Sequence, residues 1–336
     1  MYRQPTLFQH RAHFDGQSGF SSLEICAGAG GQALGLEQAG FAHAGLVEID
    51  VAACQTLRMN RAHWNVTEGD LRDFSAAPWQ GIELLAGGVP CPPFSKAGKQ
   101  LGNQDERDLF PEAIRLVSEC KPRAVMLENV RGLLDPMFAE YRARIIADLK
   151  KLGYIAEWRL LQASDFGVPQ LRPRVIFVAL PKDASDYFHW PTPDHEPPPT
   201  VGAALYDLMA SNGWPGAAQW REKACDIAPT LVGGSKKHGG PDLGPTRAKK
   251  AWASLCVDGM GIADAPPGPD FSGHPRLTVR MAARIQGFPD DWQFSGRKTA
   301  AYRQIGNAFP PPVARAVGMQ IRAALNATSK SRLKRA

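Results

Sequence analysis

The chain has 336 residues, 44% hydrophobic and 21% charged, so it exceeds one average domain and is apolar enough for a real core, which excludes a mainly disordered protein. No uninterrupted apolar run reaches the roughly 18 residues of a membrane span, and the opening MYRQPTLFQHRAHFDGQS lacks the apolar block of a secretion signal; the expectation is a soluble, cytoplasmic chain with no membrane partner. The net charge of +6 is uneven, with 20 Lys+Arg against 20 Asp+Glu in residues 1–182, 7 against 11 in 183–275 and 12 against 2 in 276–336, so the C-terminal fifth has either a polyanionic partner or a solvated basic end.

Residues 1–20 read as a flexible leader. From 21 to about 180, short apolar runs (SLEIC, HAGLVEI, ELLAG, AVMLE, RVIFVAL) alternate with helical patterns such as AIRLVSEC and EYRARIIADLKKL, which predicts a mostly parallel sheet covered on both faces. SLEIC runs directly into AGAGGQALGLEQAG, a strand, glycine-rich turn and helix, where Gly28, Gly30 and Gly31 let backbone approach a ligand; tight strand–helix packing is the plainer alternative. Glu48 ends the next strand 20 residues after Gly28, placed to accept from two ribose hydroxyls, and Asp70 in GDLRD is placed to accept from an adenine amino group. The turn reads GAGGQA rather than GxGxxG, which favours S-adenosylmethionine over a pyrophosphate cofactor such as NAD.

Six cysteines stand singly with no CxxC pair, which suits reduced thiols rather than disulfides or zinc. Five read as small buried apolar residues. Cys91 differs, because GGVPCPPFSKAGK braces it with prolines beyond a strand's C-terminal end, where ligands bind in open α/β sheets. AVMLE ends in Glu128, a candidate acid facing the same crevice or else a cap for the next turn. GVPQLRPRVIFVAL puts Gln170, Arg172 and Arg174 at alternate positions, which predicts one strand face with two arginines in need of anionic partners. After about Pro181 the proline cluster WPTPDHEPPPT and scattered glycines predict a second, loop-rich domain over 184–275. Helical periodicity returns at RLTVRMAARIQG and PVARAVGMQIRAAL, and 328–336 read as a basic disordered tail.

The ordered set EICAGAGG, GLVEID, GDLRD, GGVPCPPFS, LENV, QLRPR, RLTVRMAARIQGFPDDW and YRQIGNAFPPPVA resembles the cytosine-C5 DNA methyltransferases of prokaryotic type, over residues 22–182 and 276–318. The resemblance implies an α/β, doubly wound, Rossmann-like methyltransferase sheet built from 21–183 plus 276–327, with 184–275 as the target-recognition domain. It implies a monomer that uses S-adenosylmethionine to methylate C5 of a cytosine flipped out of double-stranded DNA, within DNA methylation of the restriction-modification kind. Cys91 would be the nucleophile on C6, Glu128 would bond the N3 edge, and Arg172 and Arg174 would hold the base and the backbone around it. Cys26, Ala27, Gly28, Ala29, Gly30 and Gly31, with Glu48, Ile49, Asp70, Leu71, Pro90, Leu109, Asn307 and Ala308, would hold the cofactor. Ser95, Gln170, Thr230, Lys236, Lys237, Arg247, Lys249 and Lys250 would contact DNA, the basic run as a loop laid on the duplex. Cys26 stands where the family usually has a phenylalanine against the adenine. An RNA methyltransferase of the same fold is disfavoured by the roughly 90-residue recognition segment, a catalytically dead DNA-binding regulator by the retention of Cys91, Glu128 and Arg172, and a nicotinamide dehydrogenase by the glycine pattern.

Overall fold

The computed structural model describes residues 19–90, 108–194, 196–233 and 242–335. Strands β1 (Phe20–Ile25), β2 (Phe41–Glu48), β3 (Val66–Glu68), β4 (Leu84–Gly87) and β5 (Val125–Val130) run parallel. Helices α1 (Gly31–Gln38), α2 (Val51–Asn60), α3 (Phe110–Cys120) and α4 (Ala139–Lys151) connect or flank them. β6 (Tyr154–Gln162) and β8 (Pro173–Pro181) complete a seven-stranded sheet of order β3-β2-β1-β4-β5-β8-β6, with β8 antiparallel to both neighbours. β4 is buried at every residue and β1 over its last four, as expected of strands covered on both faces. The order reverses between β1 and β4, which opens a crevice beyond their C-terminal ends.

β7 (Gln170–Leu171) leaves this sheet to pair with β9 (Ala228–Pro229). Between β8 and β9 lie α5 (Lys182–Ser185), α6 (Val201–Ala210) and α7 (Ala217–Lys223), followed by α8 (Thr246–Ser254), α9 (Val279–Ile285), α10 (Lys298–Asn307) and α11 (Pro311–Arg335). The stretch read as loop-rich therefore holds three helices of its own. In α6 the Thr200 hydroxyl caps the Ala203 N–H, and Val201, Leu205 and Met209 bury one stripe at i, i+4 and i+8. That stripe shares one apolar cluster with Leu34 and Leu57 of the first helices and with Ile285 and Trp292.

α11 folds the C-terminal segment onto α1 so closely that a Cβ on Gly35 would lie 2.3 Å from the Pro311 carbonyl oxygen. The helix continues through Arg335, so the tail expected to be disordered is helical. Its last turns are tied down: Thr328 is 3% exposed with its hydroxyl donating to Ala324 and Asp183 carbonyls, and Arg123 donates to Ser329 Oγ.

His43 on β2 links three elements. Its Nε2 lies 2.9 Å from the Ala33 carbonyl of α1 and its Nδ1 2.9 Å from Ser22 Oγ of β1, so the neutral ring donates to the first and accepts from the second. Burial lowers its pKa to about 4. A depressed histidine contributes stability that is complete above the unfolded value of about 6.5 and is lost as pH falls toward 4. Denaturant unfolding at pH 7 and pH 5 should show His43→Asn losing less stability than the wild type over that interval, by on the order of 1–2 kcal/mol; equal losses would remove His43 as the source.

Candidate active site

A cavity of about 570 Å³ lies over the strand C-termini at the β1/β4 reversal. It gathers Cys26, Ala27, Gly28, Ala29 and Gly31 after β1, Glu48 and Ile49 after β2, Asp70 and Leu71 after β3, Pro90 after β4, Leu109 before α3, and Asn307 and Ala308 at the end of α10. The turn is organised by the acid beside it: Glu48 Oε2 accepts from the Gly28 N–H at 2.6 Å and Oε1 from the Asp50 N–H at 2.7 Å, while the Asp50 side chain caps α2. Burial raises the Glu48 pKa, and those backbone donors oppose the rise. Gly30 is not on the cavity wall. It has φ +84°, and a Cβ there would lie 2.7 Å from Leu57 and 3.0 Å from the Trp292 ring, so its role is packing. Trp292 also donates from Nε1 to the Ala29 carbonyl, which fixes the turn from the far end of the chain.

Cys26 adopts φ +50°, a left-handed conformation rare for a residue with a Cβ. Burial pushes its thiol up, and the Glu48 and Asp70 carboxylates add to the shift, so it is held protonated and inert. Several wall residues were not anticipated: Glu24, Gln32, Asp50, Arg303, Gln304 and Phe309. The i, i+3, i+4, i+7 spacing of Ala300, Arg303, Gln304 and Asn307 on one helix is the signal that could have found two of them. Glu24 is buried, with neither oxygen in hydrogen-bonding geometry, and burial holds it well above the usual carboxylate range, opposed only by the nearby Ala33 N–H.

Glu128 on β5 also reaches the cavity. The antiparallel register opposes Val130 to Arg174 and brings the Arg174 guanidinium to the acid, Nε to Oε1 2.8 Å, with both side chains 11% exposed. Burial raises the Glu128 pKa, and Arg174 and Arg172 pull it back. Arg172 lies in the break between β7 and β8, fully buried. Its two terminal nitrogens donate to three carbonyls, Leu231 at 2.7 Å, Gly306 at 2.7 Å and Ala308 at 3.0 Å, so neutral oxygens rather than an anion meet them. Arg172 therefore touches Glu128 only through its field.

Gln170, expected at DNA, is 0% exposed, and its amide is fully engaged within the protein. Nε2 donates to the Ile285 carbonyl and to Gln286 Oε1, and Oε1 accepts from the Leu231 N–H. The residues at alternate positions are all buried, but not on one strand face: Gln170 is on β7, Arg172 in the break and Arg174 on β8, and the first two meet protein. Thr230 donates its hydroxyl to the Leu171 carbonyl at 2.5 Å and stays partly exposed. Arg247, Lys249 and Lys250 lie on α8 rather than on a loop; Arg247 and Lys250 are exposed, whereas Lys249 is paired with Asp242 at 2.7 Å. Cys91, Ser95, Lys236 and Lys237 lie outside the described residues. The Leu109 N–H donates to the Pro90 carbonyl at 3.1 Å, so the chain on either side of the Cys91 segment is joined at the cavity rim.

Residues 20–323 match the family described as C-5 cytosine-specific DNA methylase. The chain belongs to this family. The methylase is 62% identical over 309 residues to Type II methyltransferase M.NgoMIV of Neisseria gonorrhoeae, covering 91% of this chain and 98% of that one. It is also 62% identical over 316 residues to M.NaeI of Lentzea aerocolonigenes, covering 92% and 76%. In fold it is similar to the Entamoeba histolytica methyltransferase EhMeth, with TM-score 0.66 and 15% identity over 92% of this chain and 99% of the other. It is a DNA (cytosine-5-)-methyltransferase that uses S-adenosylmethionine, on the α/β sheet the sequence implied.

Two outcomes follow from the geometry. Gln170→Leu should cost the methylase several kcal/mol of unfolding free energy, because three buried polar partners lose their bonds together; an undiminished stability with a reduced salt slope of DNA binding would return Gln170 to the interface. Glu48→Ala should weaken S-adenosylmethionine binding about tenfold or more by calorimetry, the order of a charged hydrogen bond; an unchanged Kd would remove Glu48 from the cofactor site.

Proposed function

We propose that the methylase acts on a cytosine extruded from a specific sequence in duplex DNA, with the cofactor in the 570 Å³ cavity and the base over Glu128. The observation that carries this is that Glu128, buried and paired with Arg174, opens into the same cavity as the glycine turn and Pro90, the residue before Cys91. Cys91 is the nucleophile: its Sγ bonds to C6 of the ring, and the electron pair so displaced makes C5 carbon-nucleophilic. Burial keeps Glu128 in reach of its protonated form, which can donate to N3 and absorb the charge that this addition creates. Arg174 holds the carboxyl group in place from the adjacent strand. Glu48, Asp70 and Asn307 hold the cofactor, which supplies an electrophilic methyl group on a sulfonium. Once C5 carries the methyl group, its proton passes to a water molecule, the C–H electron pair expels the Cys91 thiolate, and N3 returns its proton to Glu128, which restores the ring.

Residues 184–275 serve as the target-recognition region. The exposed Arg247 and Lys250 on α8 are its candidate contacts, an arginine being able to read a guanine edge and a lysine to hold a phosphate. The relatives are named Type II methyltransferases, which supports a protective role beside a restriction enzyme. We infer a monomer working in the cytoplasm, where its DNA substrate lies. Among the described residues no helix is long and apolar enough to cross a membrane.

Cys91→Ala should abolish methyl transfer while keeping DNA binding, and the wild type should form a covalent adduct with DNA carrying 5-fluorocytosine. Glu128→Gln should lower kcat by about 10²–10⁴. Methylation by the alanine variant at the wild-type rate would sink the mechanism, and sequencing of methylated cytosines from expressing cells would show whether one sequence is targeted.

A further inference from the structure

The cavity wall is rich in acid: Glu24, Glu48, Asp50, Asp70 and Glu128 all line it. Two arginines face them. Arg72 is already paired with Asp70, Nη1 to Oδ2 3.1 Å. Arg303 projects from the cavity-facing stripe of α10, one turn before Asn307, and no acceptor for its guanidinium is found among the described residues. Its neighbour on the stripe is occupied, since Gln304 donates to the Ser295 and Ala300 carbonyls and accepts from Thr56 Oγ1. The main chain at Arg303 is also clamped, because a Cβ on Gly233 would lie 2.5 Å from its carbonyl oxygen.

S-adenosylmethionine carries a sulfonium, an ammonium and one carboxylate. A wall of carboxyl groups suits the two cations and disfavours the anion everywhere except beside an unmatched cation. We propose that Arg303 binds the α-carboxylate of the cofactor's methionine moiety, its planar fork matching the two oxygens. The proposal rests on the cavity being the cofactor site. It adds a specificity residue to it: Arg303 makes the site prefer an amino-acid-bearing thioether of adenosine over one that has lost its carboxylate.

The test is calorimetric titration of the full chain with S-adenosylhomocysteine and with its decarboxylated analogue. The wild type should prefer the former by about ten- to a hundredfold, the range of a charge-assisted pair. Arg303→Met should bind the two ligands about equally, with its affinity for the analogue unchanged, which also shows that the variant is folded. Arg303→Lys should keep part of the preference. A wild type without preference, or an Arg303→Met that retains it, overturns the proposal, as does an Arg303→Met that binds S-adenosylhomocysteine normally and duplex DNA more weakly. If Arg303→Met does not fold, the wild-type and lysine titrations decide the question. Failure of S-adenosylhomocysteine to bind the wild type would instead overturn the placement of the cofactor site itself.

Discussion

A guanidinium sealed from water must be met by oxygens, and the rest of this structure depends on where Arg172 finds them. Its acceptors are carbonyls of Leu231, Gly306 and Ala308, on two segments far along the chain. Gln170 and Gln286 extend the same buried network, with Gln170 bonded to Leu231, Ile285 and Gln286, and Gln286 bonded to the Ala308 carbonyl. The chain next to Arg172 is β8, which carries Arg174 to Glu128. The chain next to Gly306 is Asn307, on the cavity wall. One clasp therefore sets Glu128, the cavity-lining end of α10 and the Leu231 segment in fixed relation. Removing one partner of such a network leaves others buried and unpaired, which is why its loss costs more than any single bond contributes.

The same low-dielectric setting decides proton occupancy around the cavity. Burial favours the neutral forms of Glu24, Glu48, Glu128 and Cys26, and the structure opposes this selectively. Glu48 has two backbone donors and Glu128 has two arginines, whereas Glu24 has only the field of one N–H and Cys26 has carboxylates that drive it further up. A carboxyl group raised by burial and countered by an arginine can exchange a proton with a ring nitrogen. A thiol between carboxylates cannot ionise, so Cys26 is excluded from the chemistry by its surroundings.

Much of this was legible in the residues. The runs that became β1, β2, β4, β5 and β8 are continuous and apolar because they are covered on both faces, and the glycine turn, Glu48 and Asp70 follow strand ends at spacings that ligand binding needs. β6 went unread because its sequence YIAEWRLLQ is only patchily buried along its length. α6 to α8 were hidden by the prolines and glycines around them, although each buries a short apolar stripe or a tryptophan once it has a surface to pack on. The tail read as disordered from its lysines is helical because Thr328 and Ser329 find partners at Asp183 and Arg123.

The alternation of Gln170, Arg172 and Arg174 set all three apart from the more exposed residues between them; it could not say that the strand would break at Arg172 or what each would meet. Two of the three turned inward to partners about 60 to 140 positions away, and only Arg174 found a carboxylate. Periodicity is a local property, written into the backbone's repeat, so sequence alone determined the strands, the turn and the order of the chemical groups. Which polar side chain is sealed in a clasp, which is left facing the cavity and which remains exposed depends on desolvation by remote segments, and that only the tertiary structure decided.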